Sequence, residues 1–70
     1  MSVLATKARL SGLHKQLHAA WEETRTTWSD AKSQEFHERY MVELAAEVEK
    51  TLVAMDGLDA LMRKVKEECE

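Results

Sequence analysis

Proline is absent from this chain of 70 residues, and there are only two glycines, one cysteine and four aromatic side chains. Each scarcity excludes something. Without proline and with so little glycine, a barrel or sandwich built on many tight turns is ruled out. A lone cysteine, Cys69, cannot close an intramolecular disulfide, so the chain is not a disulfide-stapled scaffold. No run approaches the roughly 20 apolar residues that span a bilayer. The first residues, Met1-Ser2-Val3-Leu4-Ala5, lack the basic and long apolar regions of a cleavable signal. Positive charge is also short: 10 Lys and Arg stand against 13 Asp and Glu, for a net charge of −3. The only basic cluster, Arg63-Lys64-Lys66, runs straight into Glu67, Glu68 and Glu70. That pattern fits a solvated helix end and not a phosphate-binding patch.

What is present is amphipathic helix. Large apolar residues fall at Val3, Leu10, Leu13, Leu17, Trp21 and Trp28, at the three-, four- and seven-residue spacings of one helix face. The run Thr24-Arg25-Thr26-Thr27-Trp28-Ser29-Asp30 is then the poorest helix former in the chain, and Ser29 and Asp30 are good N-cap residues. A second periodic segment follows. Phe36, Tyr40, Leu44, Val48 and Leu52 form a row at intervals of four. A heptad-like pattern takes over at Met41, Val48, Met55, Met62 and Cys69, with Leu44, Leu58 and Val65 interleaved. Asp56-Gly57 raises the alternative of a break at 56–58 with a short third helix, but the apolar phase is unbroken across it.

The expected fold is therefore all-α: a single antiparallel two-helix hairpin over 1–70, with a helix at 3–27, a turn at 28–30 and a longer helix at 31–68. At 1.5 Å per residue the helices would measure roughly 37 and 57 Å. The last dozen or so residues of the second would overhang the start of the first. Burial of Leu10, Leu13, Leu17, Trp21, Phe36, Leu44 and Val48 is expected to form the core. Trp21, Trp28, Phe36 and Tyr40 should gather at the turn, where Ser29 or Asp30 caps the second helix. Met55, Leu58, Leu61, Met62 and Val65 should be left as an interface, so that dimerisation into a helical bundle completes the fold.

Chemistry-bearing constellations are thin. His14 and His18, four apart with Glu22 continuing the row, could share a metal, with His37 on the other helix as the remaining donor; no further ligand completes a set. The Glu35-Phe36-His37 triplet has the wrong spacing for a diiron Glu-x-x-His motif. Serines lack a nucleophile elbow, and no glycine-rich phosphate loop is present. Glu22 with Arg25, Glu35 with Arg39, and Glu47 with Lys50 have the spacing of helix-surface ion pairs.

Trp28-Ser29-Asp30, with an aromatic eight residues after the tryptophan (Phe36), resembles the W-x-G helical-hairpin family exported by type VII secretion systems. The resemblance covers about residues 21–44. It implies a tryptophan in the turn between two antiparallel helices, pairing into four-helix bundles, and a role as secreted partner or adaptor. Asp30 stands where that family has glycine, and Tyr40 is followed four residues on by Leu44 instead of an acid. The expected function is a non-enzymatic, cytoplasmic interaction or scaffold module, without cofactor, metal, nucleic acid or membrane, that self-associates or binds a partner protein. A type VII-like substrate or adaptor is the first alternative and a metal-binding helical protein the second.

Overall fold

The protein is described by a computed structural model, which covers residues 2–69. Helix α1 spans Val3–Thr27. After the connection Trp28–Asp30, a second helical rod rises in three parts: α2 (Ala31–Phe36), a π-helical turn (His37–Met41) and α3 (Val42–Cys69). The two rods pack antiparallel as a hairpin whose second arm is the longer, and the described residues contain no strand.

Local chemistry sets the ends. The Ser2 hydroxyl accepts from the backbone N–H of Ala5 at 3.0 Å and so caps α1. At the other end the threonines that make the region a poor helix former turn their hydroxyls onto the preceding turn. Thr24 donates to the carbonyl of Ala20, Thr26 to that of Glu23 and Thr27 to that of Thr24. Such bonds compete with continued helix and satisfy carbonyls that would otherwise be orphaned. Trp28 and Asp30 both adopt extended backbone, at φ −133° and −81°, so no residue of left-handed conformation is needed to reverse the chain. Of the two expected capping residues, Asp30 is the one that acts: its carboxylate accepts from the N–H of Ser33 at 3.0 Å.

The π turn has no counterpart in the helix expected at 31–68, and it has a packing consequence. In a regular α-helix, residues eight apart diverge by about 80° around the axis. The wider turn at His37–Met41 absorbs part of that drift. Ser33 and Met41 are both buried and His37 half-buried between them, all facing α1. Gly57, by contrast, lies inside unbroken α3.

The expected core needs correction. Among the described residues only Trp21 and Met41 are buried apolar side chains. Leu10 and Val48 are half-buried, but Leu13, Leu17, Phe36 and Leu44 are exposed. The reason is geometric: two cylinders touch along one line, and residues on the flanks of each apolar stripe have no third element to cover them. Met55 also moves out of the free overhang. It is half-buried and adjoins Asp56, whose carboxylate meets the Lys7 ammonium at 2.6 Å. Counting back from Lys7, α1 ends opposite about residue 60, so the uncovered stretch begins near Leu61.

A candidate protein-interaction surface

The turn end of the hairpin holds an aromatic cluster. Trp21, 7% exposed, packs its ring 4.8 Å from Phe36 and edge-on to Trp28 at 6.0 Å. Tyr40 stands against Phe36 at 5.0 Å and does not reach Trp21 directly. Trp28, Phe36 and Tyr40 keep an exposed side. Together with Lys32, Glu35 and Arg39 they line an open depression of about 400 Å³.

Beneath the rings lies a polar chain for which sequence reading has no place. The Trp21 indole N–H donates to Nδ1 of His37 at 2.9 Å. Arg25 reaches the same nitrogen at 3.3 Å, Glu22 at 3.2 Å and the Gln34 side-chain carbonyl at 3.2 Å. With two donors aimed at Nδ1, that nitrogen acts as acceptor and the ring proton belongs on Nε2. His37 is therefore a tie between the two rods, held by Trp21 and Arg25 rather than joined to His14 and His18. Those two histidines line a shallow depression with Lys15 and Ala45. Among the described residues no three His, Cys, Asp or Glu side chains come together as a metal site would need.

Along the arms, one side of the hairpin is more apolar than the other. Val3, Lys7, Leu10, His14 and Trp21 of α1 lie on the line that faces the second arm and are at least half-buried. At 100° per residue, Leu13, Leu17 and Ala20 fall on one flank of that line. On the antiparallel partner arm, Leu44 and Leu58 fall on the flank of the same side. The opposite side is the mixed groove lined by Leu4, Lys7, Ser11, Glu49, Val53 and Asp56. Beyond the end of α1 the apolar flank continues in Leu61, Met62 and Val65. With Leu58 these are 49–56% exposed, which for residues of this size is an uncovered face. Cys69 is exposed on the last turn.

Charged side chains elsewhere pair locally. Glu22–Arg25, Glu35–Arg39 and Glu47–Lys50 are all in contact, as are Lys32–Glu35 and Asp59–Arg63. Apart from Arg25 and Asp59 these side chains are exposed, and exposed pairs contribute about 0.3–0.5 kcal/mol each. No described helix is long and apolar enough to cross a membrane.

Compared with known proteins, the chain matches no family model, no curated protein and no solved structure.

Proposed function

We propose that this protein is a non-enzymatic interaction or scaffold module that works by laying its apolar helix faces against another helical surface. One observation carries this reading: among the described residues only Trp21 and Met41 are buried apolar side chains, while thirteen large hydrophobic residues are exposed. A chain with so small a core is not expected to stand alone. Its dimensions point the same way. The radius of gyration is 16.9 Å, where a compact chain of this length would have about 11 Å. Helix-on-helix packing requires no chemistry beyond this. The module is proposed to act in the cytoplasm, on protein partners, with no cofactor, metal, nucleic acid or membrane. Sedimentation over micromolar concentrations, with affinity capture, tests the proposal. A stably folded monomer that captures nothing would defeat it.

A second reading is a small substrate or adaptor of a type VII-like secretion system. It is favoured by the place of Trp28-Ser29-Asp30 in the connection between antiparallel helices, with Phe36 packed behind it. Appearance in culture medium that depends on a secretion ATPase would support it. Retention in the cell with and without the ATPase would end it.

A further inference from the structure

We infer that the uncovered end of α3 is the docking element for the aromatic end of a second copy of this chain, in an antiparallel and reciprocal pair of hairpins. This rests on the interaction reading above and names its partner.

The chain exposes 5624 Å², whereas a compact monomer of 8.0 kDa would expose about 4,450 Å². The excess of about 1,200 Å² is more than the roughly 800 Å² that each partner contributes to a standard interface. A surplus of this size fits one identical chain in an obligate homodimer, whose interfaces bury about 1,000–2,500 Å² per partner.

The molecule is 58 Å long, with the aromatic cluster at one end and the overhang at the other. At 1.5 Å per residue, Met62 stands about 10 Å from the Cys69 end, and Phe36 about 9 Å from the turn end. Turning one copy end for end over the full length therefore brings Met62 level with the partner's Phe36. Four residues further along each arm, Leu58 comes level with the partner's Tyr40, and at the other side Val65 approaches the partner's Trp28. A two-fold axis repeats the contact at the other end, so each overhang covers an aromatic end and neither is left bare. A flexible thioether and two branched chains suit an uneven aromatic surface.

Charge agrees with this register. Lys64 stands at the level of the partner's Glu35, about 7.5 Å from each end. Between the ends, the flank of Leu13, Leu17, Leu44 and Leu58 meets its own copy across the axis.

Cysteine crosslinking tests the arrangement. In the reciprocal pair the two Cys69 thiols lie at opposite ends of a 58 Å assembly, while Cys69 of each copy lies beside the partner's turn. Ser29 is exposed in that turn. Under mild copper–phenanthroline oxidation at about 20 μM, wild-type protein should stay uncrosslinked. The Ser29→Cys variant should give at least tenfold more disulfide-linked dimer, with peptides in the digest that join the substituted turn to Cys69. Ala31→Cys, also at an exposed position, serves as the second variant, and circular dichroism confirms that each is helical. A wild-type dimer linked through Cys69 of both copies would overturn the antiparallel overlap and leave self-association standing. A chain that sediments as a monomer, whether or not a different protein binds it, would overturn the second copy as occupant.

Discussion

The Trp21 indole and the His37 imidazole are joined by a 2.9 Å hydrogen bond, with their rings within 9° of parallel. They come from different arms of the hairpin, and they tie the most buried aromatic side chain to the π turn. In a molecule with so slight a core, one bond of this kind is a large share of what orients the arms.

Removing the acceptor should expose its worth. His37→Leu keeps bulk but leaves the buried Trp21 N–H and Arg25 without their shared partner, a loss of about 1–3 kcal/mol. His37→Gln, which can still accept, should lose less than half as much. Urea unfolding followed by tryptophan fluorescence, at one fixed protein concentration, separates the two. Equal losses would mean that the hydrogen bond does not matter.

Asp30→Ala removes the cap on α2 and should cost about 1 kcal/mol. The neighbouring Ser29→Ala should stay within about 0.5 kcal/mol of wild type. The pair, compared by urea midpoint, tests which of two adjacent candidates starts the second arm.

The two helices and their connection are legible from residue types alone. Helical spacing, three threonines and a capping Asp30 are local signals, and local signals decide where helices start and stop. The π turn is less accessible, because widening one turn makes sense only once Ser33, His37 and Met41 have an arm to face. The row Phe36, Tyr40, Leu44, Val48 and Leu52 gives no sign of it: its first three members are exposed and its last two half-buried, so the row drifts around the arm as residues at intervals of four do. Periodicity also marks Leu13, Leu17 and Leu44 as apolar-face residues without saying what covers them, so it assigns them to a core that a two-helix fold cannot build. In the sequence His37 stands out only as a metal ligand, since its partner Trp21 lies sixteen residues away.

Gly57→Ala and Gly12→Ala should each stabilise the protein by about 0.5–1 kcal/mol. Both glycines lie within continuous helix, and an added Cβ at either would meet nothing within 4 Å. A higher thermal midpoint for each single variant and a roughly additive double variant check this. Destabilisation by Gly57→Ala would mean that the position is a hinge after all.

Met62→Glu places a charge on the uncovered face and touches none of the hairpin's buried residues. It should weaken self-association at least tenfold, about 1.4 kcal/mol, while monomer helicity measured by circular dichroism at high dilution changes little. Equal loss of assembly and of helicity would contradict the assignment of Met62 to an interface.

The central claim is that this hairpin completes its core against another helical surface. Sedimentation equilibrium of the wild-type chain across roughly 1–100 μM tests it most directly. The expected result is a mass rising toward twice the 8.0 kDa of one chain as concentration increases. A folded species that holds the mass of one chain throughout that range, and that captures no partner protein, would contradict it.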